Sequence, residues 1–333
     1  MTKIFENIEI LKQYLSIQPL NTGEIFNYRG IEFDNMEGLH AIEDTEKDCV
    51  NLMSGVEFDF FEYRGQTSVY NPCLSGFGRI KDIEDLFLAI CRSLYFEQAI
   101  QTNPRFTFAK SKNICVDSHA IGQHYGLATD YLDITKNFDV ATFFATQKYN
   151  FNTQQYEPMR ENSKDGVIYR INTFALSSST SNDNKKIYTP IGWQPFKRPE
   201  EQRANAVYLE DNKCFTTIPT VQTYLFKHSY EQSKKVYEMF EGGKTIFPDD
   251  DISLFASNVK EKSSFSLDII EQSFSQLSKR RGWEDNAKNR ENILNQTKVS
   301  IEENDNLKWN EKEEDIEKEF CEMIERTRAR LTY

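Results

Sequence analysis

Ser118 to Thr146 reads SHAIGQHYGLATDYLDITKNFDVATFFAT, and its three pieces set the architecture expected of the chain. Gln123-His124-Tyr125-Gly126 places an amide, an imidazole, a phenol and a glycine in four consecutive positions. From Thr129 to Ile134, apolar Tyr131, Leu132 and Ile134 interleave with polar Thr129, Asp130 and Asp133, the pattern of a short strand or its end. Asn137 then stands as the N-cap of a helix whose Val140, Ala141, Phe143 and Phe144 face a core. A strand followed by a buried helix presents the polar groups at the strand's end to a pocket rim. The plainer reading is a tight turn with a satisfied histidine, ahead of an ordinary amphipathic helix.

Outward from this stretch the chain alternates strands and helices. Val56 to Gln66 (VEFDFFEYRGQ) has strand periodicity, with Phe58, Phe60, Glu62 and Arg64 on one face. Arg64 therefore sits among core-facing positions and needs an anionic partner, either a ligand or a carboxylate such as Asp133. Gly65 permits close backbone approach. Asp82 caps a helix running to about Gln101, with Ile83, Leu86, Phe87, Ile90 and Leu94 on its buried face. Further strands are expected over 129–135, 166–172, 206–210 and 221–227, giving an α+β fold with a mixed, mainly antiparallel sheet and flanking helices. Ser229 with Gln232 reads as a capping box, for a helix that Gly242-Gly243 stops.

The flanks are less regular. Residues 1–22 open with a short helix, and Tyr28-Arg29-Gly30 reads as a hairpin element. Glu43 to Asp48 reads as a solvated loop or helix face, and Ser177 to Asn184 as a loop. Trp193 to Arg203, with two prolines and the adjacent carboxylates Glu200 and Glu201, is an exposed loop able to close over a pocket. From Ser257 onward helices take over, packing on the core or on another subunit. Lys279-Arg280-Arg281 among them reads as a solvated face.

The 333 residues are 38% hydrophobic and 13% aromatic, enough for a substantial core. Formal charge is −12, and the first 55 residues carry half of it, with ten acidic against four basic side chains. No large basic face is evident, which argues against a plain DNA-binding protein and leaves room for a small anionic ligand held by a few arginines. The six cysteines are scattered without a C-x-x-C pair and read as reduced thiols. No apolar run approaches the ~18 residues of a membrane span, and a cytoplasmic protein is expected.

Four motifs carry a resemblance to a known family. Tyr63-Arg64-Gly65-Gln66 is followed by Pro72-Cys73-Leu74 with Arg79, then Gln123-His124-Tyr125-Gly126-Leu127-Ala128-Thr129-Asp130-Tyr131-Leu132-Asp133-Ile134-Thr135, then Phe247-Pro248-Asp249. In order and spacing they resemble the FRG domain, a bacterial domain named for its aromatic-Arg-Gly motif. Ala128, Asp130 and Ile134 depart from the proline, arginine and tryptophan usual there, and the family's later glutamine-bearing element is reduced to Ala204-Asn205-Ala206-Val207-Tyr208. The resemblance divides the chain into an acidic N-terminal segment (1–55), an FRG domain (56–256) and a helical C-terminal region (257–333).

The layout of arginine strand, Thr-rich strand before a helix, and late carboxylate loop also looks like an ADP-ribosyltransferase core. That likeness implies NAD as co-substrate and a transferase or NAD-cleaving effector, such as a toxin or an antiviral defence component. Cleaving the nicotinamide–ribose bond passes through an oxocarbenium-like state that needs nearby negative charge. Arg64, His124, Asp133 and Glu201 are the candidate catalytic residues, with Arg64 meeting the pyrophosphate and Asp133 or Glu201 the ribose. Gln66, Tyr125, Thr129, Tyr131 and Thr135 join Arg64 and His124 as candidate nucleotide-binding residues. Which of Glu200, Glu201 and Gln202 faces the site stays open. The partner classes implied are a nucleotide and a protein or nucleic-acid acceptor, with no membrane, and an oligomer contact through the C-terminal helices. Two other readings use the same residues: a nucleotide sensor without turnover, and a nucleic-acid-processing enzyme.

Overall fold

A computed structural model describes residues 3–15, 25–28, 31–34, 38–56, 60–161, 163–177, 179–181, 185–303 and 307–329, with backbone alone at 25–28, 31–34 and 329. Its centre is a seven-stranded sheet. In chain order the strands are β1 (Ile4–Phe5), β2 (Phe61–Gln66), β3 (Tyr131–Thr135), β4 (Gly166–Asn172), β5 (Tyr188–Pro190), β6 (Ala204–Tyr208) and β7 (Val221–Phe226). Across the sheet they run β1-β7-β4-β2-β3-β6-β5, antiparallel throughout except for the β1–β7 edge. The mixed, mainly antiparallel sheet expected from the sequence is the one observed, and the acidic N-terminal stretch supplies its edge strand.

The sheet's two faces follow the strand period of two. Ile168 of β4 and Tyr63 of β2 face one side, with Ala141 and Ala145 of the helix Phe138–Thr146. Val167, Tyr169 and Ile171 face the other, with Leu132, Ile134 and Val207. Eight helices matter here: α1 (Ile83–Ile100), α2 (Ser118–His124), α3 (Phe138–Thr146), α4 (Lys197–Glu201), α5 (Tyr230–Met239), α6 (Asp251–Glu261), α7 (Leu267–Arg281) and α8 (Glu313–Glu325). Asn137 caps α3 as expected, its side chain accepting from the Asp139 and Val140 amides. Ser229 caps α5, but Gln232 returns no bond and its Oε1 is buried without a partner. The reciprocal box is at α6 instead, between Asp250 and Ser253.

α3 lies against β2 at backbone contact, and Gly65 makes this possible. A Cβ built on Gly65 would stand 1.8 Å from the Ala141 carbonyl oxygen and 2.9 Å from the Ala145 nitrogen. Both are helix backbone atoms and cannot swing aside. Gly65→Ala is therefore expected to cost about 3 kcal/mol, the upper end for overpacking, read as a shift of the urea midpoint at constant slope.

The end of β2 is held from below by His228. Its Nε2 lies 2.9 Å from the Thr67 carbonyl oxygen, which only accepts, so Nε2 carries the proton. Nδ1 is buried without a partner. Burial lowers the imidazole pKa from its ordinary 6.5, with the Thr67 carbonyl and then Asp165 opposing. The folded state thus takes up its proton at lower pH than the unfolded chain. This contribution to stability is present above about pH 6.5 and is lost as pH falls below it. Acid should destabilise the native protein more than a His228→Gln variant, whose pH profile of unfolding free energy lacks that component.

Several sequence expectations are settled or corrected. Glu43–Asp48 is the solvated loop of the two alternatives, its last four residues the exposed turn of a hairpin that pairs Gly38–Asp44 with Cys49–Gly55. The six cysteines are not all thiols: Cys49 and Cys115 form a disulfide that ties this hairpin to the segment ahead of α2, while Cys73, Cys91, Cys214 and Cys321 are free. Spacing of 66 residues gave no sign of the pairing. The Trp193–Arg203 stretch is not an exposed loop; it buries Trp193, Gln194, Phe196 and Gln202 and contains α4. Tyr28 ends a strand, Ile25–Tyr28, that pairs antiparallel with Ile31–Asp34, while 29 and 30 lie outside the described residues. Of the expected loop at 177–184, residues 178 and 182–184 lie outside the described residues, as do 57–59 of the first strand.

The C-terminal helices spend their apolar faces within the chain. Phe274 of α7 stacks on Phe87 of α1 at 4.5 Å between ring centroids. Ile316, Phe320 and Met323 of α8 pack with Trp193 and Leu39, leaving only Ile324 of that stripe exposed. Lys279-Arg280-Arg281 is not a solvated face either. Arg280 makes a two-pronged bond to Asp130, at 2.5 and 2.7 Å, and reaches Asp211 at 3.0 Å, while Arg281 donates to the Phe77 and Ile80 carbonyls. No helix among the described residues is long and apolar enough to cross a membrane.

Candidate functional site

β2 and β3 lie side by side but pair at one position only, Tyr63 opposite Thr135. Beyond it they part, and the Arg64 side chain bridges the gap: its Nη1 donates to the Asp133 carbonyl at 2.7 Å. An orphaned strand carbonyl is thereby satisfied by a side chain in place of a ladder bond. The anionic partner expected of a buried arginine is not what is found here: Arg64 is half-buried, and the contact is to Asp133's neutral backbone carbonyl and not its carboxylate.

α2 delivers the imidazole to the same place. Asp117 caps the helix by accepting from the Ala120 amide at 2.9 Å, and Gly126 ends it with φ of 82°, a conformation that favours glycine. Gln123 and His124 fall on its last turn. Thr129 Oγ donates to Gln123 Oε1, which turns the Gln123 amide nitrogen towards Asp133 Oδ2, 3.2 Å away. His124 Nδ1 meets Gln202 Oε1 at 2.9 Å. Gln202 is itself fixed twice, its Nε2 donating to the Ile246 carbonyl at 2.9 Å and its own carbonyl accepting from Thr135 Oγ at 2.7 Å.

These groups surround a cavity of about 120 Å³, walled by Tyr63, Val140, Phe144 and Ile134. Arg64, His124, Asp133, Thr135 and Gln202 supply its polar lining. Three lining side chains carry buried polar atoms with no partner: Arg64 Nε, His124 Nε2 and Asp133 Oδ1. The last two are 3.9 Å apart, too far for a hydrogen bond. Unsatisfied polar atoms cost roughly 1–3 kcal/mol each, so three around one cavity single it out as the candidate site. Beside it stands Arg79, whose guanidinium pKa is lowered by burial and then by the repulsion of Arg64, with Asp133 opposing.

Of the residues singled out by sequence, Arg64, His124, Asp133 and Thr135 line this cavity, although up to 71 positions separate them. Gln66 lies at the end of β2 with its amide nitrogen 3.7 Å from Cys73 Sγ. Thr129 is one step back, orienting Gln123. Neither expected stacking tyrosine is there. Tyr125 is in the core, its hydroxyl on Asp250 and its ring 4.5 Å beneath the Arg198 guanidinium. Burial, then Asp250, push that hydroxyl's pKa far up. Tyr131 bonds Asp117 at 3.2 Å and lines a separate, wider cleft of about 980 Å³ with His119 and Arg280. Tyr63 and Phe144 provide the aromatic walls in their stead.

Glu201 is exposed and outside the cavity, and Glu200 pairs with Arg326 at 2.5 Å. Gln202 is the member of that trio that faces inward. Successive residues at a helix end point about 100° apart, so the helix that buries Pro199 and Gln202 leaves Glu201 in solvent. The late carboxylate inferred from layout is therefore an amide in this structure. Gln123 was visible within its motif, but its role depends on Thr129, which no spacing rule connects to it. No group of three or more His, Cys, Asp or Glu that could hold a metal ion occurs among the described residues.

No curated protein and no solved structure matches the chain. A family model does match, over residues 60–154, the stretch that contains Arg64, Gln123, His124, Asp133 and Thr135 but not Gln202. By that match the chain carries an FRG domain over residues 60–154, and Arg64, His124, Asp133 and Thr135 of its motifs line the cavity.

Proposed function

We propose that the FRG domain binds a nucleotide at the Arg64–His124–Asp133 cavity and cleaves NAD between nicotinamide and ribose. The observation that carries this reading is the set of three buried, unpartnered polar atoms on side chains that line one cavity. A volume of about 120 Å³ equals roughly four waters, so the cavity takes one ring and not a dinucleotide. The nicotinamide ring lies between the apolar walls, with the ribose at the mouth, where the Asp133 side chain is 35% exposed. Arg64 is tied to the Asp133 carbonyl and its Nε is left unpartnered in the cavity, so the pyrophosphate falls to the neighbouring guanidinium of Arg79.

The bond that breaks is ribose C1′–N of the nicotinamide. Its electron pair leaves with the ring nitrogen, which becomes neutral, and positive charge develops on the ribose. Asp133 stands as the fixed negative charge that stabilises that state, its other oxygen held by Gln123. Water or an acceptor nucleophile then bonds to C1′ and gives up a proton. A transferase of this kind, or a glycohydrolase, acts as an effector through loss of NAD.

The test is to incubate the full chain with NAD and follow nicotinamide release together with thermal stabilisation. Release supports the reading. Stabilisation without release reduces it to a nucleotide sensor, and neither effect overturns it.

A further inference from the structure

The cavity offers a specific arrangement of donors and acceptors, and Gln202 determines it. Because Gln202 Nε2 donates to the Ile246 carbonyl, its oxygen must face His124 Nδ1. Oxygen accepts, so the neutral imidazole carries its proton on Nδ1 and presents the lone pair of Nε2. Asp133 Oδ1, at 3.9 Å, is too distant to hold a second proton on Nε2. The His124 side chain is 1% exposed, so water does not substitute freely there. The cavity thus has two adjacent acceptors, His124 Nε2 and Asp133 Oδ1, and one donor, Arg64 Nε–H, all without partners.

We infer that the cavity recognises a planar ring edge bearing an amino group beside an acceptor. One –NH2 supplies a hydrogen to each of His124 Nε2 and Asp133 Oδ1, bridging atoms that otherwise repel. The neighbouring carbonyl oxygen or ring nitrogen accepts from Arg64 Nε. A primary carboxamide on a six-membered ring has this pattern, and so does the amino edge of cytosine. The apolar walls Tyr63, Val140 and Phe144 suit a flat ring of either kind. Gln202 is a positioning residue: it touches no ligand and acts by fixing which imidazole nitrogen is the acceptor. The inference rests on the cavity being the ligand site, as proposed above.

Calorimetric titration of the full chain with nicotinamide, nicotinate, cytosine and uracil tests it, with NAD consumption measured alongside. The amino member of at least one pair should bind about 100-fold more tightly than its partner, because the acid or oxo group sets acceptors against acceptors. Preference for nicotinamide over nicotinate supports both this inference and the NAD reading. Preference for cytosine over uracil, with NAD neither bound nor consumed, supports the inference and overturns the NAD reading. Equal binding within both pairs, or no binding of any of the four, overturns the inference, and NAD consumption then shows whether the reading above survives.

A second arm isolates Gln202. In Gln202→Glu, the carboxylate facing Nδ1 favours the doubly protonated imidazolium and turns Nε2 into a donor. Discrimination within the preferred pair should shrink at least tenfold, mainly through tighter binding of the acid or oxo member. Equal weakening of both members would overturn the positioning role. If that variant does not melt cooperatively, the wild-type pairs alone decide.

Discussion

Asp133→Asn should lower kcat for nicotinamide release from NAD by a factor of about 10²–10³, the range for removing one preorganised electrostatic group, with a smaller rise in KM of about tenfold from the lost acceptor. The split follows from the two jobs of the side chain. Asparagine keeps an oxygen for the Gln123 amide, 3.2 Å away in the native site, and leaves the backbone carbonyl that receives Arg64 untouched. The fold therefore persists, while the amide nitrogen that replaces Oδ1 no longer accepts the ligand's amino hydrogen and raises KM. What disappears is the full negative charge at the cavity mouth, which matters only as positive charge develops on the ribose. The measurement is steady-state release against NAD concentration, with melting temperature as a control. A rise in KM with kcat unchanged would show that Asp133 binds ligand without stabilising the transition state. Unchanged kinetics would remove the cavity from the reaction.

How far this site could be read in advance depends on how local its causes are. The Tyr131–Thr146 part of the first stretch was legible because its signals, strand periodicity and the Asn137 cap, act over a few residues, whereas the helix Ser118–His124, capped by Asp117 and ended at Gly126, is too short to show a period. The five main strands were legible for the same reason. Parity set Arg64 among core positions, yet it is only half-buried beside the buried Tyr63 and Gly65, and parity could not distinguish the carboxylate of Asp133 from its carbonyl as partner. Glu201 was misplaced because one helical step separates it from Gln202, and only the packing of α4 decides which turns inward. The disulfide and the ion pairs of Arg280 join distant segments, and no local pattern records them.

Arg280→Ala is expected to destabilise the protein by about 3–5 kcal/mol, the cost of removing one partner from a buried ion pair. Asp130 and Asp211 have side chains only 5% exposed, and the Arg280 guanidinium satisfies both while lying 4.4 Å over the Phe77 ring. Burial opposes it, but Asp130 and then Asp211 hold the arginine's pKa above its ordinary value, so the cation persists. Alanine leaves two carboxylates buried together, with Arg281 3.5 Å from one of them as the remaining cation. Asp130 is a position at which the sequence departs from the arginine usual in the family's motif. Here the charge is reversed and the cation comes from α7, 150 residues later. The loss should therefore be larger than the few tenths of a kcal/mol typical of a solvated basic face. Urea unfolding of the single variant measures it. Combining Arg280→Met with Asp130→Asn and Asp211→Asn should recover more than half, because the penalty comes from uncompensated charge and not from lost attraction. A single-variant loss below about 1 kcal/mol would return Arg280 to the solvated surface. A loss without recovery would place its contribution in the apolar contact with Phe77. Since Thr129, which orients Gln123, directly precedes Asp130, the same variant should also loosen the cavity, because α7 holds Asp130 in place through Arg280.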